Sequence, residues 1–412
     1  MAAIRRANEI GLGIGFRVLG ILSIVFGQLF NIHPINIRKR SIAYYVTHAY
    51  TFIMVFYSSF ITIGGLILIL KNSSNFSVVV YYSTGFLGVA KCCLRSYFLI
   101  LKKRRIELFT ENFRRLLNES WLKSHQRRII FRLTRYILIL YAFLMSFYVC
   151  AMITNFNALI TRIKHANETN SIAVPQFFKD ATNEVMNNMW LNNSNISRFF
   201  DNLIPISISM VLVYSVAFLC IGKLITSDVL FYASYWLIIK ELELLISKLK
   251  GVIRRSSTEE LTLWLNYHHK LEKLLLEINN ITSLPVFVSV IFTAIQLCFV
   301  AVVIVKRFLQ DSSDSISLLL FAITSMQQLF MFCLLGQKIR EQLVELQRTA
   351  YSAPWLRSQR GMHSALMICN AATERAMPLP GAPFFALSLE FFASIMGVVV
   401  TYFIVLLQFN KE

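Results

Sequence analysis

Uncharged stretches of twenty or more residues recur along this chain and constrain its fold more than any other feature. The first of them, residues 41–70, contains no Lys, Arg, Asp or Glu. A helix rises 1.5 Å per residue, so about 20 apolar residues cross the roughly 30 Å hydrocarbon core of a bilayer. Charged residues make up only 15% of the 412 residues, against about 25% in soluble domains. The sequence therefore predicts a membrane protein and excludes a single soluble globule, a disordered chain and a secreted disulfide scaffold.

The distribution of charge divides the apolar stretches into seven predicted spans, S1 to S7. Lys91 and Arg95 interrupt the second half of S2, and Glu390 is the one acid in S7. The PLPGAP motif at residues 378–383 breaks the helix before S7. We expect an all-α membrane protein with seven transmembrane helices. The spans are Ser41–Leu70 (S1), Phe76–Leu101 (S2), Tyr136–Thr161 (S3), Asn202–Gly222 (S4), Ile278–Val305 (S5), Ser315–Gln337 (S6) and Phe384–Phe409 (S7).

Two signals predict how the chain is oriented in the membrane. With the N-terminus inside, the inside loops hold 30 Lys and Arg residues and the outside loops hold eight, which is a strong positive-inside bias. Five Asn-x-Ser/Thr glycosylation sites fall in the same outside loops, where such sites can be used. The N-terminus is therefore predicted to be cytoplasmic and the C-terminus extracellular. The candidate sites are Asn72, Asn75, Asn167, Asn192 and Asn195.

Cytosolic helix extensions are predicted in residues 227–280 and 338–383. Capping boxes at residues 256–260 start a helix with one apolar face. Such a face needs a partner surface. It can pack within one subunit or form a contact between subunits, and the sequence leaves both readings open. The face consists of Leu261, Trp264, Leu265, His268, Leu271 and Leu275.

Motif searches provide no support for an enzyme. No GxSxG, P-loop or HExxH motif occurs, and no span holds paired carboxylates. His268 and His269 are adjacent, so their side chains point about 100° apart on a helix and cannot both ligate one ion from that helix alone. We expect no catalytic site, no metal site and no cofactor. Lys91 and Arg95 are expected either to snorkel to the inner interface or to pair with Glu390.

Composition and topology exclude two other classes of protein. The net charge of +19 would suggest nucleic acid in a soluble protein, but here the basic residues lie between the spans and set topology. A G-protein-coupled receptor also has seven spans, yet that class needs its N-terminus outside. No DRY motif follows S3, and no NPxxY motif lies in S7. We therefore expect neither nucleic-acid binding nor a G-protein-coupled receptor.

The last 70 residues resemble the insect odorant and gustatory receptor superfamily. The signature of the gustatory branch is complete as Thr401-Tyr402, five hydrophobic residues and Gln408-Phe409. The AYS-x-x-W element at residues 350–355 and the FFALSLEFFASIMG stretch at residues 384–397 instead resemble odorant receptors and their co-receptor. We favour the odorant receptor branch. The alternative is a gustatory receptor channel gated by sugars or bitter tastants, and a transporter or membrane enzyme is a third possibility.

The resemblance implies a ligand-gated, non-selective cation channel made of four subunits, with no G protein required. It implies a homotetramer or a heterotetramer with an odorant co-receptor, in the plasma membrane of a chemosensory dendrite, passing monovalent and divalent cations. Residues 1–40 would be a cytoplasmic segment, 41–226 would hold S1–S4 with the ligand pocket, 281–337 would hold S5 and S6, and 227–280 and 338–383 would be anchor helices. Residues 384–412 would line the pore through Val398, Thr401, Tyr402, Val405, Gln408 and Phe409.

A ring of four Val405 side chains would make an apolar gate that excludes ions by dewetting. The resemblance places the ligand pocket in the outer halves of S2, S3, S4 and S6. Those halves are rich in aromatic residues and hold no acid, which favours small volatile organic ligands over sugars. The pocket candidates are Tyr81, Tyr82, Phe86, Phe147, Tyr148, Ala151, Asn155, Met210, Tyr214, Phe321 and Thr324.

Overall fold

The computed structural model describes most of the predicted spans. It covers residues 42–71, 76–117, 135–150 except 147, 206–255, 258–307, 312–352 and 386–409, with isolated positions at 21–22, 132, 153 and between 364 and 374. The glycosylation candidates lie outside these residues, as do Phe147, Ala151 and Asn155 of the predicted pocket.

The described parts of the chain are helical almost throughout, which confirms the all-α prediction. Helix α2 has the bounds predicted for S2. Three other helices extend far beyond their predicted spans, because the charge-free window that defines a span misses the charged turns that follow S4 and S6 and precede S5. The helices are α1 (Ile42–Lys71), α2 (Phe76–Leu101), α3 (Lys103–Leu117), α4 (Arg135–Cys150), α5 (Ile206–Arg255), α6 (Thr258–Arg307), α7 (Ser312–Tyr351) and α8 (Leu389–Phe409).

Two of the described helices combine the length and apolar composition of a membrane span, over Glu259–Ile304 in α6 and Leu319–Tyr351 in α7. Shorter apolar helices occupy Arg135–Cys150 and Leu389–Val405. Helix α6 is central, because it packs against α2, α3, α5, α7 and α8, whereas α1 packs mainly on α2.

A proline interrupts the backbone hydrogen bonding of α6, and a lysine compensates for it. Pro285 lies inside α6 and has no N–H, so the carbonyl of Ile281 loses its usual helical partner. The Lys102 ammonium donates to that carbonyl at 3.4 Å and also to the carbonyl of Asn280. Lys102 thus joins the end of α2 to α6 as well as being part of the basic segment predicted to set topology.

The apolar face predicted at the start of α6 packs within the subunit. Trp264 is fully buried, its indole N–H donates to the backbone oxygen of Leu245 at 2.9 Å, and its ring stacks on His268. Leu261, Leu271 and the rest of the face join the main core with α5 and α7. Of the two readings left open by the sequence, packing within one subunit therefore accounts for this face.

A glycine sets the closest approach between α7 and the segment that leads into α8. A Cβ built on Gly336 would lie 2.8 Å from both Cβ and the backbone oxygen of Leu387. We predict that Gly336→Ala lowers the free energy of unfolding by about 1–3 kcal/mol, because backbone atoms must shift. Thermal unfolding of the purified protein in detergent measures this change.

Gly251 is the matched control, because a Cβ at that position of α5 meets nothing within 4 Å. Gly251→Ala is expected to be neutral or to stabilise by up to about 1 kcal/mol through helix propensity. Equal changes in unfolding temperature for Gly336→Ala and Gly251→Ala would contradict the close approach of Gly336 to Leu387.

Candidate functional site

Helix α8, the counterpart of S7, attaches to the rest of the chain by a narrow stripe. Phe391, Phe392 and Ile395 pack on the main core, and Val399, 6% exposed, packs with a smaller cluster of α6 and α7 residues. The stripe follows from residues spaced four apart, which share one face of a helix. Of the other α8 residues whose surroundings the structure describes, Met396 and Phe403 are half-buried and the rest are exposed.

The predicted pore residues lie mostly beside that stripe. At 100° per residue, Val398, Thr401, Val405 and Gln408 fall within an arc of roughly 80°. All four are exposed, with Val398 at 67%. By the same spacing Tyr402 falls within the arc of the packed stripe, and its side chain is 36% exposed. The helix includes Phe409, but the surroundings of its side chain are outside the described part of the structure.

The structure brings together two of the predicted pocket residues, Tyr148 of α4 and Thr324 of α7, within hydrogen-bonding reach of each other. Thr324 is buried, and its hydroxyl donates to the carbonyl of Phe321 at 2.9 Å. Phe86 is half-buried on α2. Tyr81, Tyr82, Met210 and Tyr214 lie on the described helices α2 and α5, but nothing is described of their side chains.

A buried polar cluster lies next to Tyr148 and Thr324 and joins four helices. Arg95 of α2 forms an ion pair with Asp228 of α5, and both side chains are buried. The amide of Gln328 on α7 donates to Asp228 at 2.5 Å, and Lys91 donates to Gln328 at 2.5 Å and to Thr293 of α6 at 3.0 Å. We call Lys91, Arg95, Asp228, Thr293 and Gln328 the buried charge cluster.

The cluster corrects the expectations for Lys91 and Arg95. Neither side chain reaches an interface, because Lys91 is 3% and Arg95 is 1% exposed. Neither pairs with Glu390, which is exposed at the start of α8. Asp228, the actual partner of Arg95, is visible in the sequence as an acid inside a long apolar run, which is costly in a membrane and therefore marks a buried partner. Asp228 is therefore a site residue that the predicted spans did not include, although its place in the apolar run marks it.

Aromatic rings enclose the Arg95 guanidinium. It lies 5.3 Å from the ring centre of Phe231 and 5.8 Å from that of Phe332. The Tyr232 ring packs on Phe332, and its hydroxyl donates to the backbone oxygen of Gln328 at 3.0 Å. Cation–π contact stabilises a desolvated guanidinium, so the rings hold Arg95 in the plane between α2, α5 and α7.

A second buried acid lies in the predicted cytosolic extension of α5. Glu241 is fully buried and accepts a 2.6 Å hydrogen bond from the Tyr267 hydroxyl. Burial raises the pKa of Glu241 to about 7, and the bond from Tyr267 only partly opposes this effect. Burial also lowers the pKa of His268 to about 4, where its ring lies 3.2 Å from the Thr373 hydroxyl.

The two groups have opposite effects on the pH dependence of stability. A carboxyl with a raised pKa favours the folded state below its unfolded pKa and loses that contribution as pH rises toward about 7. A histidine with a lowered pKa contributes its full stability above its unfolded pKa and loses it as pH falls toward about 4.

We predict that Glu241→Gln removes the loss of stability as pH rises to 8. At pH 8 the free energy of unfolding of the variant should exceed that of the wild type by an amount on the order of 3 kcal/mol, so the variant unfolds at a higher temperature. At pH 4.5 the two proteins should unfold at nearly the same temperature. Thermal unfolding across this pH range measures the effect. Glu243→Gln, a partly exposed site on the same helix, should leave the pH profile unchanged. If the unfolding temperatures of Glu241→Gln and the wild type changed with pH in parallel, the raised pKa of Glu241 would be contradicted.

Comparison with known proteins identifies the family. The family model described as 7tm Odorant receptor matches residues 74–400. Relatives include the odorant receptor coreceptor of Ooceraea biroi, 28% identical over 147 residues, which are 35% of this chain and 30% of that protein. The coreceptor of Anopheles gambiae is 37% identical over 84 residues, 20% of this chain and 18% of that protein. The chain thus matches under a third of the length of these coreceptors.

Solved structures show the same fold. The insect olfactory receptor OR5 from Machilis hrabei superposes with a TM-score of 0.75 at 17% identity, over 96% of this chain and 97% of that one. The same receptor in complex with eugenol superposes with a TM-score of 0.74, also at 17% identity, over 96% of this chain and 98% of that one.

The family match covers most of the chain, so the protein belongs to the 7tm odorant receptor family. It is a chemosensory membrane protein of olfaction with the helical fold of insect olfactory receptors. The resemblance read from the last 70 residues is confirmed. The family is one of receptors and not of enzymes.

Proposed function

We propose that the chain is a subunit of an odorant-gated, non-selective cation channel with a central pore shared by four subunits. The observation that carries the proposal is the exposed arc of α8 in a chain of the odorant receptor family. A helix held by one narrow stripe leaves surface for lipid, for neighbouring subunits and for water. Val398, Thr401, Val405 and Gln408 form the water-facing arc, with Tyr402 and Phe409 beside it.

Gating follows from the position of Val405 within this arc. Four valines around one axis form an apolar ring, which excludes ions by dewetting until the helices separate. Gln408 lies about one turn further along α8 and offers neutral amide oxygens to a partly dehydrated cation. Neutral ligands discriminate little among cations, so monovalent and divalent ions pass and the receptor itself is the effector.

The ligand is a small, mostly apolar volatile held among α2, α4, α5 and α7. Tyr148 and Thr324 supply hydroxyls on one side of this region, and Phe86 and Phe321 supply apolar surface that is only partly buried by the chain itself. Aromatic surface with one or two polar groups suits such ligands. The eugenol complex of the olfactory receptor OR5 from Machilis hrabei supports this ligand class. Binding shifts the population toward the open arrangement.

Assembly uses surfaces that the subunit leaves uncovered in its predicted cytosolic extensions. Leu263 and Leu276 of α6 and Tyr351 of α7 are exposed large side chains outside the buried face around Trp264. They are candidates for contacts with neighbouring copies or with an odorant co-receptor, a partner class that the coreceptor relatives support. We place the assembled channel in the plasma membrane of a chemosensory dendrite, without a G protein.

The test is current from cells that express this chain alone, with a known coreceptor, or with neither. A panel of volatiles and a panel of sugars and bitter compounds are applied to each. Volatile-evoked cation current that is unaffected by blocking G proteins is expected, and picoampere unitary events exclude a transporter. Current evoked by the tastants alone would support the gustatory alternative, and expression at the surface without any current in either combination would contradict the channel.

A further inference from the structure

The junction between α2 and α3 lies at the predicted inner boundary of the membrane. S2 is predicted to end at Leu101, and S5 is predicted to begin at Ile278. The Lys102 ammonium donates to the backbone oxygens of Asn280 and Ile281, so the two predicted boundaries meet at one level of the structure. The residues that directly follow Leu101 therefore lie at the depth of the lipid headgroups on the predicted cytosolic side.

Helix α3 stays near that level because it is inclined to α6. Lys102 and Asn112 are ten residues apart, which is about 15 Å along a helix. Their contacts on α6 are only four residues apart, or about 6 Å. Lys102 donates to the backbone oxygen of Ile281, and the Asn112 amide donates to the Glu277 carboxylate at 3.5 Å. A helix parallel to α6 would advance equally along both axes, so α3 crosses α6 and remains close to the membrane surface.

One face of this junction combines exposed arginines with exposed leucines. Backbone hydrogen bonds of 3.1 Å on both sides of Lys102 continue the helical path from α2 into α3. The pair of Arg104 and Arg105 follows Leu101 by three and four residues, and Leu108 follows the pair by four and three residues. Side chains with this spacing are neighbours on a helix surface. All four are exposed, the leucines at 64% and 50%, whereas the other face of α3 is buried in the core.

The acids of α3 leave the two arginines available for a ligand. Glu111 accepts hydrogen bonds from the later arginines, Arg114 at 3.0 Å and Arg115 at 3.2 Å. In the described part of the chain, no ion pair joins Arg104 or Arg105 to an acid. A guanidinium group binds phosphate through two parallel hydrogen bonds. Exposed leucines beside such groups suit a ligand that carries apolar chains as well as a phosphate.

We propose that the face formed by Leu101, Arg104, Arg105 and Leu108, the α3 lipid face, binds an anionic phospholipid of the cytosolic leaflet. The two guanidinium groups hold the phosphate of the headgroup, and the leucines pack against the acyl chains. A basic segment next to a membrane span attracts the acidic lipids of that leaflet. The face requires neither an odorant nor four subunits, so its test is independent of the proposed channel.

Lipid binding to the purified full-length protein in detergent tests the proposal. Dioctanoyl forms of phosphatidylserine, a phosphatidylinositol bisphosphate and phosphatidylcholine are titrated separately while the unfolding temperature is measured. A ligand that binds only the folded state stabilises it by mass action, so an acidic lipid should give a rise that saturates. Phosphatidylcholine should give no saturating rise. The free headgroups phosphoserine and inositol trisphosphate, which lack acyl chains, should give none at the same concentrations.

The double variant Arg104→Gln and Arg105→Gln should raise the half-saturating concentration of the acidic lipid by about tenfold or more, because both phosphate-binding groups are lost. The matched control is Arg254→Gln with Arg255→Gln. That pair is also adjacent and exposed, but it lies at the end of α5, roughly 50 Å along the helix from the predicted inner end of S4. The control should leave the titration unchanged.

Three results would overturn the α3 lipid face. The first is an equal response to phosphatidylcholine and the acidic lipids, or no response to any of them. The second is an equal half-saturating concentration in the wild type and the Arg104 and Arg105 variant. The third is a free headgroup that binds as tightly as its lipid, which would assign the arginines to a soluble phosphate. If the double variant does not fold, the two single variants take its place.

Discussion

Replacing Asp228 by Asn should lower the free energy of unfolding by about 3–5 kcal/mol, the typical cost of breaking a buried ion pair from one side. Arg95 cannot lose its proton, so the variant leaves a buried guanidinium without its carboxylate. Gln328 also loses a charged acceptor for its 2.5 Å hydrogen bond. The loss should appear as a lower unfolding temperature in detergent and as reduced surface expression.

Two controls separate the ion pair from a general effect of lost charge. Glu243→Gln removes an acid of the partly exposed pair with Lys240 and should change stability by less than about 1 kcal/mol. The double variant Arg95→Met and Asp228→Asn removes both charges and keeps apolar volume between Phe231 and Phe332. It should be more stable than Asp228→Asn alone. Wild-type stability in the single Asp228 variant would show that Arg95 is neutralised in another way.

Val405→Ala should produce a large increase in current without ligand. A smaller side chain in each of four subunits widens the apolar ring and lets water, and then ions, occupy it. The expected result is a leak current several-fold above that of the wild type at equal surface expression. The increase in current that the odorant evokes, relative to this resting current, should be smaller than in the wild type. Whole-cell recording in the absence and presence of a volatile agonist measures both quantities.

Val400→Ala is the matched control for the gate. Val400 is exposed on the same helix but lies roughly 140° around the axis from Val405, on a face that the account assigns to lipid or a neighbouring subunit. It should leave the resting current unchanged. Equal leak in the two variants, or none in Val405→Ala, would remove Val405 from the gate.

Local patterns in the sequence predicted much of the fold, as S2 and S7 illustrate. The predicted bounds of S2 match α2 because charged residues flank the span on one side and Lys71 with polar residues flanks it on the other. S7 was predicted to begin at Phe384, but α8 begins at Leu389. The Ser388 hydroxyl accepts a hydrogen bond from the N–H of Phe391 at 3.1 Å and caps the helix there.

The partners of buried charges could not be predicted in the same way. Lys91 and Arg95 are conspicuous in S2, but Asp228 and Gln328 lie over 130 residues away, and only the packing of α2 with α5 and α7 brings them together. The pocket presents the same difficulty, since depth in the membrane selects residues without fixing which way they face. Tyr148 and Thr324 meet because α4 and α7 approach, and nothing in either segment alone specifies that contact.

The central claim is that α8 is a water-facing wall shared by four subunits, and cysteine accessibility tests it most directly. Single cysteines replace Val398, Val405, Val399 and Val400, and a hydrophilic thiol reagent is applied during agonist-evoked current. We expect modification to reduce the current at Val398 and Val405. No reduction is expected at Val399, which packs within the subunit, at Val400, or in the wild type with its native cysteines. Absence of any effect at Val398 and Val405 with agonist bound would contradict it.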